Sequence, residues 1–243
     1  MCTVTYLPVG NQEFILTSNR DESTTRKIAL PVQQYEINGK KVFYPKDQHA
    51  NGTWIAHEVN GYTLCLLNGA NYPHLAKKEY AKSRGLMLLD FFHFKGPHDF
   101  VKRYDFSGIE PFTLIMVASS SEEAKVDLFE LKWDETKTEL ITHDSALPQI
   151  WSSVTLYKPN IIEQRRNWFS AWLEKHNNTF LSETILFFHH FGGIGNGEND
   201  LVISREDKKT VSICCINKNT AVTEIIYEDI INQKLYKNKV INY

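Results

Sequence analysis

The residue best placed to do chemistry is the second one. Cys2 follows Met1, and a side chain this small permits removal of the initiator, which leaves a thiol and a free α-amine on one residue. An α-amine has a reference pKa of about 7.7–8.0 and a thiol about 8.5, so near neutral pH the amine can take the thiol proton. The resulting thiolate can attack an acyl carbon. The plainer alternative is a buried cysteine opening a strand, since free cysteine is among the most buried residue types. The run Ser18-Asn19-Arg20-Asp21-Glu22 supplies groups that could serve a nucleophile. Asp21 would accept hydrogen bonds from the ammonium and orient it, and the Arg20 charge would favour the thiolate. A tetrahedral oxyanion needs donors about 2.7–3.1 Å away, and the side-chain amide of Asn68, followed by Gly69, is the first candidate. Asn71 is the second. Read alone, Asn68-Gly69 is a turn, Asn19 a residue that closes a loop on backbone groups, and Glu22 a surface partner of Arg20 or Arg26.

These residues need elements to bring them together. Cys2–Leu7 alternates and is rich in Thr and Val, Gly10-Asn11 marks a turn, and Phe14–Ser18 reads as the returning strand. Antiparallel pairing would carry Asn19–Glu22, just past that strand, back beside the chain terminus. Weak strand signals follow at Tyr35–Ile37 and Val42–Tyr44. Thr53–Val59 and Tyr62–Leu67 flank Asn60-Gly61, a type I′ hairpin dipeptide. Helical periodicity runs from about Tyr80 to Phe94, Gly96-Pro97 interrupts it, and a short helix covers Pro97–Tyr104. Strands are expected at Phe112–Ala118, Val126–Trp133 and Glu139–Thr142. A long helix follows from Pro159 to about Lys175, then a second over Glu183–Phe191 capped by Ser182. The last third returns to strands at Leu201–Ser204, Thr210–Ile216 and Val222–Tyr227. Helices grouped between runs of antiparallel strands indicate an α+β fold rather than a doubly wound parallel sheet. No linker or repeat divides residues 1–243, so a single domain is expected.

The totals exclude several classes of function. The chain has 243 residues, 42% of them hydrophobic and 23% charged, with a formal net charge of −2, which gives no electrostatic case for nucleic acid. No apolar run reaches the ~20 residues of a membrane span. The segment MCTVTYLPVG lacks the basic and apolar regions of a secretory leader. The four cysteines, Cys2, Cys65, Cys214 and Cys215, show no paired spacing, so a reduced cytoplasmic chain is expected. His189-His190 are neighbours on a helix, about 100° apart, and read as structural rather than as a metal pair. The glycine-rich run Gly192–Gly197 follows a helix and precedes a strand, the reverse of a dinucleotide-binding loop, and reads as a mobile loop at a pocket mouth. No cofactor motif is present.

Met1-Cys2-Thr3, Ser18-Asn19-Arg20-Asp21-Glu22, Gly52-Thr53-Trp54-Ile55 and Leu67-Asn68-Gly69 together resemble the NRDE family, the homologues of transport and Golgi organisation protein 2. Trp151-Ser152-Ser153 and Phe191–Asp200 are similar to its bacterial branch. The resemblance implies a four-layer αββα sandwich of the Ntn-hydrolase type, with two antiparallel sheets between helices. It also implies kinship with choloylglycine and penicillin V acylases, in which Cys2 would match the nucleophile and Asp21 the aspartate after the second strand. Ser18 stands where those acylases carry an arginine, and no arginine falls at Gly197–Asn199. On a continuing strand Arg20 and Asp21 would face opposite sides. Asn19, Asn71, Trp151 and Ser152 are expected to contact substrate.

Two classes of function follow. One is an N-terminal-cysteine amidohydrolase acting on a small acyl amide or ester. The other is a carrier of a hydrophobic ligand, haem or a lipid or acyl-CoA, that keeps the fold without the reaction. Any haem would bind non-covalently, because no CxxCH is present.

Overall fold

The computed structural model describes residues 3–120, 125–177 and 179–242. In chain order the strands are β1 (Thr3–Gly10), β2 (Glu13–Ser23), β3 (Leu30–Ile37), β4 (Lys40–Lys46), β5 (Ile55–Glu58) and β6 (Tyr62–Asn68). Two helices follow, α1 (Arg84–Asp90), prolonged by a 3-10 turn over Phe91–His93, and α2 (Pro97–Arg103). Then come β7 (Phe112–Ser120), β8 (Lys125–Trp133), β9 (Thr138–His143) and β10 (Gln149–Ser152). The last elements are α3 (Pro159–His176), α4 (Ser182–Phe191), β11 (Lys208–Lys218), β12 (Val222–Asp229) and β13 (Lys234–Ile241).

The strands form two antiparallel sheets. One has six strands in the order β10-β1-β2-β11-β12-β13, and the other seven in the order β3 to β9. Helices α3 and α4 cover the first sheet, where Leu7, Ile15, Ile213 and Cys215 meet Phe169, Trp172, Ile185 and Phe188. Helices α1 and α2 lie on the second. There Phe91 stacks edge-on to Tyr62 with ring centroids 5.1 Å apart, and Trp133 meets Phe106, just beyond α2, at 5.6 Å. Alternation explains the layers: Val4, Tyr6, Leu16 and Cys214 point between the sheets, and their neighbours Leu7, Ile15 and Cys215 point to α3 and α4. The α+β reading and the four-layer sandwich are both present. Among the described residues no helix is long and apolar enough to cross a membrane.

Several elements differ from expectation. β2 does not stop at Ser18. It continues through Asn19, Arg20, Asp21 and Glu22, because β11 pairs along it with Asn19 opposite Ile213 and Asp21 opposite Thr210. A strand flanked on both sides keeps its ladder even through polar residues, provided their side chains find partners. α1 begins at Arg84, not Tyr80, because Ser83 caps it by accepting from the Leu86 N–H. α4 has no Ser182 cap; the Thr184 hydroxyl donates to the Leu181 carbonyl and accepts from the Leu181 N–H. Leu201–Ser204 is no strand and contributes only an isolated bridge from Ser204 to Lys209.

Candidate active site

The start of β1 sits between two partners. Thr3 pairs with Asn19 of β2 on one side and with Ser152 of β10 on the other. Cys2 lies outside the described residues. The side chains around the start of this strand divide between two faces. Thr3, Thr5, Asn19 and Asp21 reach towards α3 and α4, and Val4 and Arg20 turn to the opposite face.

On the helical side Asp21 is 4% exposed. The Tyr157 hydroxyl donates to its Oδ2 at 2.6 Å and the Thr210 hydroxyl to its Oδ1 at 2.5 Å. Tyr157 follows β10, and the Arg165 guanidinium of α3 lies over its ring, 3.6 Å from the centroid. Arg165 is fully buried. It donates to the Thr3 hydroxyl at 2.5 Å and to the carbonyls of Asn199 and Asp200, so its hydrogen bonds go to neutral oxygens. A buried cation without a carboxylate is costly unless its N–H groups are occupied and a negative charge lies near. Here the occupied donors, the Tyr157 ring and Asp21 beyond its hydroxyl meet that need. The glycine-rich loop is thereby fastened through its Asn199 and Asp200 carbonyls.

One layer deeper, Asn19 donates from its amide to the carbonyls of His189 and Leu201, at 3.1 and 2.7 Å. Its Oδ1 is therefore an acceptor, and His189 Nδ1–H donates to it. That leaves His189 Nε2 to accept from the Thr5 hydroxyl at 2.8 Å. Burial, with the charges of His190 and Arg165, lowers the His189 pKa from 6.5 to about 3, so the ring is neutral. Asn19 is fully buried in this network and does not line the cleft described next. His190 instead pairs with Glu228 at 2.6 Å.

On the other face Arg20 lines an open cleft of about 360 Å³. Its guanidinium stacks on Trp54, 4.3 Å from the ring centroid, and its Nη2 bonds Asp47 and, at 3.5 Å, Glu22. Arg26 donates to both oxygens of Asp47 at 3.0 and 3.1 Å. Burial alone would raise the Asp47 pKa, but the Arg26 hydrogen bond, the Ala50 N–H and the Arg20 charge outweigh it and hold the carboxyl below the ordinary value. Across the cleft Arg84 bonds the Pro111 carbonyl at 3.0 Å and Glu110 at 2.9 Å. This wall exists because two glycines meet. A Cβ on Gly52 would lie 2.4 Å from the Gly85 backbone, and Thr53 N–H donates to the Gly85 carbonyl at 3.2 Å.

Asn68 lines the same cleft and also a smaller one of about 120 Å³ beside Trp151 and Ser152. Its carbonyl accepts from the Ser153 hydroxyl at 2.8 Å, and the residue is half-buried at the cleft. The Trp151 ring stands edge-on to His143 at 5.7 Å. The buried Ser152 hydroxyl has no partner among the described residues. Asn71 is exposed and lines neither cleft. The fold therefore brings Arg20 and Asn68 to one cleft and sets Asp21 on the far face of the same strand. Cys65, Cys214 and Cys215 are buried, and burial raises all three thiols, Cys65 and Cys215 to about 12.

The reading of residue types missed Tyr157, Arg165, Thr210 and His189 as partners of the site. One signal was available. Ile162, Arg165, Phe169 and Trp172 share a helical stripe, and Arg165 is the charged residue inside it. A cation on the core side of a helix calls for a buried partner.

The family model described as Transport and Golgi organisation 2 matches residues 1–211. No curated protein matches. Among solved structures the fold is similar to two variants of the conjugated bile acid hydrolase from Clostridium perfringens, with TM-scores of 0.58 and 0.60. Each is 10% identical, and each alignment covers 99% of this chain and 92% of that one. It is also similar to the Caenorhabditis elegans ortholog of N-acylethanolamine-hydrolyzing acid amidase, with TM-score 0.55, 12% identity, and 88% of this chain and 92% of that one covered.

Proposed function

Because the chain belongs to the Transport and Golgi organisation 2 family and has an Ntn-hydrolase-like fold, we propose that it is an N-terminal-cysteine amidohydrolase acting on a small acyl amide or ester. The observation that carries this reading is Asp21, a buried carboxylate fixed by two hydroxyls on the strand that pairs with the start of β1. The chemistry requires Cys2 to set its amine within reach of Asp21 and its sulfur towards the cleft of Arg20 and Asn68. A trans peptide holds the preceding Cα about 3.8 Å from that of Thr3, so the span required is short. Once Met1 is removed, the amine takes the thiol proton, and Asp21 holds the ammonium. The thiolate attacks the acyl carbon and Asn68 donates to the oxyanion. The amine or alcohol leaves with the proton, and water then releases the acid and frees the sulfur. The other cysteines are poor competitors, because their thiols are buried and raised.

Intact mass and turnover test this reading together. Purified protein should lack Met1, hydrolyse a member of a panel of short acyl amides and esters, and lose that activity in Cys2→Ala. Retained Met1 with full turnover would refute the mechanism.

The second reading, a carrier of a hydrophobic ligand such as haem or an acyl-CoA, rests on a different observation. A groove of about 250 Å³ between α3 and α4 is lined by Trp168, Trp172, Phe187 and Phe191 with Lys175 at its edge. Phe187 and Phe191 are 64% and 69% exposed. Stoichiometric binding of hemin or an acyl-CoA that survives Cys2→Ala would favour it.

A further inference from the structure

The cleft of Arg20 carries a pattern of unmatched donors. Arg20 is 3% exposed, yet among the described residues its hydrogen bonds all run from Nη2, to Asp47 and Glu22. Its Nε–H and Nη1–H groups have no acceptor there. Trp54, which the Arg20 guanidinium covers, is also 3% exposed, and its Nε1–H is buried without an acceptor among the described residues. The half-buried Asn68 side chain shares the cleft. Buried N–H groups are rarely left unmatched, because each lost partner costs on the order of 1–3 kcal/mol. The buried, unmatched Trp54 N–H beside the Arg20 donors that the cleft leaves open marks the place of a missing acceptor.

The charges set a limit on that acceptor. Arg20, Arg26 and Arg84 face Glu22, Asp47 and Glu110 around the wall, and Lys82 is paired with Asp90 at 2.6 Å. Every fixed positive charge is thus balanced. With no surplus positive charge in the wall, its three carboxylates repel a dianion more strongly than a single carboxylate. The volume, about 360 Å³, is at the small end for ligand pockets of about 300–1,000 Å³. The apolar side chains in the lining are few, chiefly Trp54 and Leu66, so a long aliphatic acyl chain finds little to bury against.

We infer that this cleft receives a small acyl substrate bearing a single carboxylate, whose oxygens take the spare N–H groups of Arg20 and Trp54. A charged hydrogen bond in a largely buried site is the stronger kind. This inference rests on the amidohydrolase reading for the word substrate; the binding itself does not.

The test uses the full chain carrying Cys2→Ala, so that binding is measured without turnover. Calorimetric titration compares N-acetylglycine, its uncharged methyl ester and inorganic phosphate. The acid should bind at least about tenfold more tightly than the ester, and phosphate more weakly than the acid. Trp54→Phe keeps the ring under Arg20 and removes only the N–H; it should weaken the acid several-fold and leave the ester unchanged. Arg20→Gln should abolish the preference for the acid, with a thermal melt confirming the fold. Equal binding of acid and ester, tighter binding of phosphate, or a Trp54→Phe variant that binds the acid as well as its parent would each overturn the inference. The two readings fail separately. If Cys2→Ala prefers the acid and the unmodified enzyme hydrolyses nothing, the anion site stands and the amidohydrolase reading falls. If the enzyme turns over only uncharged amides and its Cys2→Ala variant shows no preference for the acid, the reverse holds.

Discussion

His189 gives the protein a measurable weakness towards acid. The ring is fully buried beneath the start of β1, its Nδ1–H on Asn19 and its Nε2 on the Thr5 hydroxyl. Its pKa falls from 6.5 in the unfolded chain to about 3, chiefly through burial. The folded state therefore stays neutral where the unfolded state takes up a proton. Stability is intact above the unfolded value of 6.5 and is lost progressively as pH falls from there towards the folded value near 3. Each pH unit in that window costs about 1.4 kcal/mol, so from pH 8 to pH 4.5 this one residue removes on the order of 3 kcal/mol. Domains have only about 5–15 kcal/mol to lose. The perturbation is His189→Gln, which cannot gain the proton. At pH 8 the variant should be less stable than the parent, because the Asn19 and Thr5 hydrogen bonds are disturbed. At pH 4.5 the gap should shrink by roughly 3 kcal/mol or change sign. Urea denaturation of both proteins at the two pH values reads this difference directly, and other titrating groups cancel between them. A gap that is the same at both pH values would refute the reasoning, since it would mean that the buried ring titrates as it does in the unfolded chain.

Other consequences follow from the same geometry. Tyr157→Phe removes a donor to Asp21; a lost hydrogen bond to a buried charge should cost about 1.5–3 kcal/mol in a chemical denaturation, and any turnover should fall in kcat more than it rises in KM. Asp47→Asn takes the shared partner from Arg20 and Arg26, at a cost of about 3 kcal/mol near pH 7. The Asp47 pKa is depressed, so its contribution is present above the ordinary carboxylate range and is lost as pH falls through the folded value; the parent and Asp47→Asn should converge in stability as pH falls below the ordinary carboxylate range. A thiol reagent applied to native protein should label Cys2 alone, and Cys65, Cys214 and Cys215 should react only after denaturant is added. Mass spectrometry of the labelled peptides decides between these outcomes.

The hairpins, the two helical groups and the α+β order were legible in the chain itself, because each depends on short-range alternation, turn dipeptides and helical spacing. Asn60-Gly61 lies in the three-residue loop that joins β5 to β6, with Asn60 at φ 56° and Gly61 not at positive φ, so the hairpin was legible but its turn is not type I′. Pro159 opens α3, where its missing N–H costs nothing. The opposite facing of Arg20 and Asp21 also follows from strand alternation. The extent of β2 did not, because Asn19 to Glu22 look like loop residues until β11, nearly two hundred residues later, pairs with them. The same long-range pairing decided the roles of the site residues. Asn19 became a buried bracket for His189, and Arg165, the charged residue inside the apolar stripe of α3, became the charge behind Tyr157 and Asp21. Local sequence fixes which way a side chain points along its own strand or helix. What it points at belongs to a partner brought there by folding, and burial by that partner sets its charge and hydrogen bonds.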